Sequence, residues 1–346
     1  MSDASTTQRT PRPAPGDPHA PSARNPSGAS LARTPDPASP RVTALPPRSG
    51  RRAVIGLPYL WLLVFFLVPF LVVLKISVSE MDTARVGDVL SFKDGVLALT
   101  LRLSNYATIV QDDLYALTYL SSLKYAAITT LLCLGVGYPF AYFMARAKAG
   151  RQPALLMLVM LPFWTSFLLR VYAWKGLLTE HGWLSNLIEA VGLDRLLAAA
   201  GMIAAPGQLM NTPFSLVLGM TYSYLPFMIL PLYANLSKMD LRLLEAASDL
   251  GASAWVAFWR ITVPLSKAGI IAGSMLVFIP CVGEYVIPEL LGGPQTQMIG
   301  RTLWDEFFSN NDWPMASTVA VAMVLLIIVP LAIFGKYQAQ AGERRS

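Results

Sequence analysis

Met239-Asp240-Leu241-Arg242-Leu243-Leu244-Glu245-Ala246-Ala247-Ser248-Asp249-Leu250-Gly251-Ala252-Ser253-Ala254-Trp255-Val256-Ala257-Phe258-Trp259-Arg260-Ile261-Thr262-Val263-Pro264 lies between two apolar runs, 214–236 and 269–290. Asp240 is placed to cap a helix start, with good helix formers after it. Gly251 can take the left-handed conformation that ends such a helix. Ser253 can cap a second short helix carrying Trp255, Phe258 and Trp259. Pro264 stands where the chain should enter the next apolar run. The spacing therefore predicts helix, glycine turn, helix, with an aromatic ridge shaped for a groove on a partner. A connection of about thirty residues is too long to be a simple turn.

The runs on either side belong to a wider pattern. Of 346 residues, 54% are hydrophobic and 14% charged, against about a quarter charged in an ordinary soluble domain. That balance points to a membrane protein. Six segments, 58–79, 121–145, 153–174, 214–236, 269–290 and 316–336, supply the roughly 20 mostly apolar residues that a bilayer core requires. The expected fold is all-α and integral to the membrane, with six transmembrane helices in a domain spanning 51–337. The loop 237–268 is expected to be cytoplasmic.

Orientation follows from Lys and Arg. Arg51, Arg52, Arg146, Lys148, Arg151, Lys238, Arg242, Arg260, Lys267 and Lys336 fall on one side. The other side is rich in acids, among them Glu80, Asp82, Asp112, Asp113, Glu180, Asp305, Glu306 and Asp312. The positive-inside rule then puts both termini in the cytoplasm. Residues 1–50 are rich in Pro, Ser, Ala and Arg and are expected to be a disordered cytoplasmic tail. Residues 338–346 form a second cytoplasmic tail. The N-terminus lacks the pattern of a cleavable signal peptide. The stretch 80–120 is expected to be a long acidic outer loop, and 175–213 to hold one or two short surface helices.

Several functions are disfavoured. The net charge of +6 is spread between the apolar runs rather than clustered, so the basic residues read as topology signals and not as a nucleic-acid face. Cys133 and Cys281 sit in apolar runs and read as small buried hydrophobes. His19 and His181 have no partner at ligand spacing, so no metal site is suggested. No phosphate-binding loop and no nucleophile–base set is visible, so the chain is not expected to be an enzyme.

Glu245, Ala246, Ala247, Gly251, Ile261 and Pro264 stand at the spacing of the EAA motif of bacterial ABC importer permeases, with Val263 as one conservative departure. The chain resembles that family in a pattern much more specific than Glu-Ala-Ala alone. The resemblance implies a type I importer permease (EAA-loop) architecture in the bacterial inner membrane. It implies a coupling helix seated in a cleft of a separate ATPase dimer, with Trp255 and Phe258 on the docking ridge. ATP and magnesium would be bound by that ATPase, and this chain would carry no cofactor.

Ser166-Phe167-Leu168-Leu169-Arg170-Val171-Tyr172-Ala173-Trp174 is similar to the polyamine (putrescine/spermidine) permeases. So are Gly283-Glu284-Tyr285-Val286-Ile287-Pro288-Glu289-Leu290-Leu291-Gly292-Gly293-Pro294, Met298-Ile299-Gly300-Arg301 and Asp312-Trp313-Pro314. The nearest likeness is to putrescine transport permeases. It implies a second homologous permease, a periplasmic polyamine-binding protein and a shared translocation path.

The residues themselves permit such a cargo. Glu284 and Glu289 fall at or near the outer half of the fifth run, where carboxylates usually face a cavity or a pathway. Polyamines are flexible cations, suited to carboxylates and aromatic faces. Tyr285, Trp164, Tyr172, Tyr222 and Tyr224 are candidate path residues. Other readings stay open. Glu284 can pair with Arg170 or cap a broken helix, Glu289 can be solvated in a loop, and the aromatics can form an interfacial belt in contact with lipid. Pro226, Pro231, Pro280 and Pro288 are expected to kink helices four and five. Among rivals, an ion-coupled secondary transporter predicts matched inverted repeats, which are not seen. A permease for iron, sulfate, thiamine or opine-type solutes shares the loop and differs only in cargo.

Overall fold

Six apolar runs require helices, because in a bilayer core each backbone polar group must be bonded within the segment. In a computed structural model, residues 48–82, 85–86, 90–93, 96–99 and 103–343 are described. The expected tails, apart from 48–50 and 338–343, lie outside them. The chain divides into two units, Met1–Pro58 and Tyr59–Ser346.

Helix α1 (Arg48–Leu62) begins inside the stretch that composition assigns to the tail. It continues through a π turn, Leu63–Leu67, into α2 (Val68–Ser77). Two small antiparallel hairpins follow, β1 (Met81–Asp82) with β2 (Arg85–Val86) and β3 (Leu90–Lys93) with β4 (Val96–Leu99). In the second, Leu90 faces Leu99 and Lys93 faces Val96. They occupy the connection expected to be a long acidic outer loop. Helix α3 (Ser104–Gln111) completes it, and its Tyr106 hydroxyl meets Ser77 Oγ at 2.8 Å.

The long helices are α4 (Asp113–Arg146), α9 (Pro213–Leu236) and α16 (Trp313–Glu343). Between α4 and α9 lie α5 (Gln152–Met160), α6 (Phe167–Leu178), α7 (Trp183–Val191) and α8 (Leu193–Ala199). The last two supply the short helices expected in 175–213. After α9 come α10 (Arg242–Asp249), α11 (Ala254–Ala257), α12 (Val263–Leu265), α13 (Lys267–Val282), α14 (Val286–Leu291) and α15 (Ile299–Trp304).

Four stretches, Val54–Ser77, Asp113–Arg146, Pro213–Leu236 and Trp313–Ala332, are long and apolar enough to cross a membrane among the described residues. Two bent pairs bring the number to six if each is one span: Gln152–Trp164 with Phe167–Leu178, bent by 86°, and Ala254–Leu265 with Lys267–Val282, bent by 64°. The third run is thus not the unbroken helix that its hydropathy predicts; the bend at Ser266 precedes the fifth run, which is interrupted separately after Val282.

The breaks have local causes. In the third run, the 3-10 turn Leu161–Trp164 contains Pro162, which has no N–H to donate, and Thr165 then turns extended. The Thr165 hydroxyl donates to the Pro162 carbonyl at 2.8 Å and closes the turn. The fifth run stops at Val282. Pro226, Pro231 and Pro280 lie inside helices that continue past them. The interruption instead falls at Gly283–Tyr285.

The core lies where α4, α9 and α13 pack together. Ala126, Cys133, Met220, Met228, Val277 and Cys281 are all buried there. Small and flexible side chains let these helices pack closely, and close packing drives association where lipid is as apolar as protein. Cys133 and Cys281 are both free thiols, as their apolar surroundings predict. Helix α2 packs on α16, and the Thr318 hydroxyl donates to the Ser77 carbonyl at 3.0 Å.

Candidate functional site

The helix–turn–helix connection forms as its spacing predicts. Asp240 Oδ1 accepts from the Arg242 N–H at 3.0 Å, before α10. Gly251 has φ +82°, the left-handed conformation that strains any residue with a Cβ. Ser253 Oγ accepts from the Val256 N–H at 3.4 Å and starts α11. A π turn, Phe258–Thr262, leads into α12, and the chain bends at Ser266 into α13.

This loop has two faces. Leu250 and Trp255 are 89% and 70% exposed, and Glu245, Ala246, Trp259 and Pro264 also stand open. Ala247 is buried, and Ile261 is half-buried. Phe258 does not join the open ridge. Its ring meets Tyr138 and Tyr142 of α4 edge-on, with centroids 5.6 and 5.8 Å away. Beside it the Tyr138 hydroxyl lies 2.8 Å from Ser266 Oγ, at the bend. Phe258 therefore clamps the loop to the helical core, while Trp255 and Leu250 face outward.

The break at the far end of α13 gathers some of the other candidates. Glu284 Oε1 accepts from the Val286 and Ile287 N–H groups at 3.1 and 3.4 Å and so caps α14. Its other oxygen accepts from the Tyr224 hydroxyl of α9. Helix α15 lies directly against the break. A Cβ on Gly300 would fall 2.4 Å from the Gly283 carbonyl oxygen, so only glycine permits this approach. Ser122 Oγ of α4 accepts from the Ile299 N–H at 2.7 Å and holds the start of α15. As a result Trp304 stacks on Tyr285, with centroids 4.4 Å apart and planes 10° from parallel.

Glu284, Tyr224 and Tyr285 are thus brought together. Glu289 is not simply solvated, since its Oε2 lies 2.7 Å from Arg301 Nε. Tyr222 packs against Trp174 as a separate pair, centroids 5.2 Å apart. Trp164 and Tyr172 stand exposed and join neither group. Arg170 does not pair with Glu284. Its guanidinium lies over the rings of Phe163 and Phe167, at 5.9 and 5.7 Å. Sequence reasoning did not single out Arg301 and Trp304 as site residues. The only signal was their place in or beside the segment Met298–Arg301, since nothing local says that α15 returns to the break.

Comparison with known proteins bears on both ends. Residues 52–341 match the family described as "Binding-protein-dependent transport system inner membrane component". The chain is 36% identical over 289 residues to the spermidine/putrescine transport system permease protein PotB of Haemophilus influenzae, covering 84% of this chain and 93% of that one. PotB of Escherichia coli K12 is 36% identical over 274 residues, covering 79% and 92%. Among solved structures, a bacterial ABC transporter that imports the acidic polysaccharide alginate superposes with a TM-score of 0.57 at 16% identity, covering 85% of this chain and 96% of that one. At that identity the superposition shows the fold alone.

Proposed function

Since the chain belongs to the family of binding-protein-dependent transport system inner membrane components, an ABC importer permease of the inner membrane, we propose that it forms half of a translocation path for polyamines. The likeness to two spermidine/putrescine permeases over nearly their whole length carries the cargo reading. A carboxylate bonded to Tyr224 beside the Tyr285 ring supports it, because that pairing suits an ammonium group. Putrescine is the favoured cargo within that class.

The chain is a non-catalytic subunit. Its proposed assembly pairs it with a homologous permease, an ATPase dimer and a periplasmic polyamine-binding protein. The termini face the cytoplasm, so the loop Arg242–Leu265 meets the ATPase. Leu250, Trp255 and Trp259 enter its cleft, and Glu245 meets a cationic group at the rim. Closure of the ATPase dimer then displaces the loop. Phe258 and Ser266 pass that displacement to α4 and α13 as a rigid-body movement.

Uptake of labelled putrescine and spermidine into vesicles containing the whole importer tests the proposal. Saturable, ATP-dependent uptake of putrescine is the expected result. Uptake of another solute class instead would overturn the cargo. For Glu284→Gln we expect lowered polyamine uptake with the ATPase still bound. Unchanged putrescine kinetics would remove Glu284 from the path.

A further inference from the structure

Beyond the break, the Tyr285–Trp304 stack continues as a ladder of rings. Trp304 meets Phe308 at a centroid distance of 4.0 Å, Phe308 meets Phe307 at 4.8 Å, and Phe307 meets Trp313 at 6.2 Å. Trp304, Phe307, Phe308 and Trp313 are all exposed. A contiguous exposed apolar surface of this kind marks an interaction site more often than a solvated face. A plain interfacial belt would also expose aromatics, but it would not explain the charge beside this one.

The flank of the ladder is acidic. Asp305 lies within electrostatic reach of Arg301, Glu289 and Glu306. Most of these carboxylates are already engaged. Glu289 pairs with Arg301. Glu306 accepts from the Tyr115 hydroxyl at 2.7 Å and from Asn310 Nδ2 at 2.9 Å. Asp312 accepts from the Met315 N–H at 2.9 Å at the start of α16. Asp305, next to Trp304, makes no side-chain hydrogen bond or ion pair among the described residues. Burial pushes its carboxyl above the usual range. Arg301 opposes that shift, and Glu289 and Glu306 add to it. An arriving cation would favour the ionised carboxylate and offset the repulsion from Glu289 and Glu306.

We propose that the ring ladder and Asp305 form a receiving site for a polyamine on the permease itself. One ammonium group sits at Asp305, and the methylene chain lies along the exposed parts of the Trp304 and Phe308 rings, since the faces of Trp304 are covered by Tyr285 and Phe308. Aromatic rings attract cations and cover alkyl chains, and the nearby carboxylates supply charge complementarity. The site adjoins the break, because Trp304 stacks on Tyr285. This inference rests on the polyamine reading of the preceding subsection.

The test uses the assembled permease–ATPase complex without its binding protein. Equilibrium binding of labelled putrescine and spermidine is measured for the native chain, Asp305→Asn, Trp304→Leu and Trp304→Phe. The expected result is about tenfold weaker binding for Asp305→Asn and Trp304→Leu, with near-native binding for Trp304→Phe. Equal binding by native chain and Asp305→Asn, or none by the native complex, would overturn the site. So would weakened docking of the unloaded binding protein with polyamine binding unchanged, which would make the ladder a protein-docking face. Uptake by the native importer separates the two failures. If it takes up polyamines while the variants bind them normally, the site alone falls; if it takes up no polyamine, the cargo reading falls with it.

Discussion

At one end α13 meets a loop that leaves Leu250, Trp255 and Trp259 in the open; at the other it meets a break whose polar groups are nearly all bonded. The loop end is held by packing, through Phe258 between two tyrosines. The far end is held by hydrogen bonds: Tyr224 donates to Glu284, the Ile299 N–H donates to Ser122, and Glu284 caps the start of α14. An apolar ridge in water is incomplete without a partner, whereas a satisfied polar cap is complete by itself. The proposed docking of an ATPase would complete the loop end, whereas the far end needs no partner to hold its shape. A cavity of about 580 Å³, lined by Pro231, Asn235, Lys238, Leu243 and Gly269 among others, lies beside the loop.

This contrast can be broken most forcefully at Gly251. Gly251→Val places a β-branched residue at φ +82°, where the left-handed conformation costs roughly 1–2 kcal/mol for an ordinary residue and more for a branched one. Uptake should fall by more than about tenfold, in line with that cost, while the amount of permease in the membrane stays unchanged. Normal uptake would defeat the docking role of the loop.

Phe258 and Trp255 separate the two faces of that loop. Phe258→Ala removes a half-buried ring and should cost about 2 kcal/mol, below the range for a fully buried Phe. The ATPase should still co-purify, but fewer polyamines should enter per ATP hydrolysed. Trp255→Ala should leave thermal stability unchanged and lose the ATPase on purification. If both variants behave alike, the division between clamp and ridge is wrong.

Gly300→Ala acts at the other end. Its Cβ would meet the Gly283 carbonyl at 2.4 Å, so α15 must move away, at a cost of roughly 1–3 kcal/mol. Lower thermal stability and several-fold slower uptake are expected, with ATPase binding intact. The smallest effect belongs to Glu289→Gln. The pair with Arg301 is partly exposed, so it contributes less than about 1 kcal/mol. Uptake should stay within about twofold of native, and a larger loss would give Glu289 a direct role in the path.

Much of the loop end was legible in the sequence because its determinants are local. A cap at Asp240, a left-handed glycine at Gly251 and a cap at Ser253 each act within three or four residues, and each is found as read. The destination of Phe258 was not legible, since Trp255, Phe258 and Trp259 look alike in a helical pattern and only α4 tells them apart. The third and fifth runs misled because hydropathy counts apolar residues and is blind to a turn. Both breaks depend on side chains that bond back to the main chain, Thr165 in one and Glu284 in the other. Glu284 read equally as a path residue, a partner of Arg170 or a helix cap, and the structure makes it the cap while also giving it Tyr224.

Sequence alone determined a membrane-embedded helical chain with a helix, glycine turn, helix connection after α9, and the resemblance of its motifs implied a permease that docks a separate ATPase there. Apolar run length and short-range capping are properties of neighbours along the chain. Tertiary structure alone decided which aromatic residue anchors the loop, and that α15 brings Trp304 onto Tyr285. Those outcomes depend on contacts between residues far apart in sequence, such as Gly300 against Gly283 and Phe258 against Tyr138, and no local pattern encodes them.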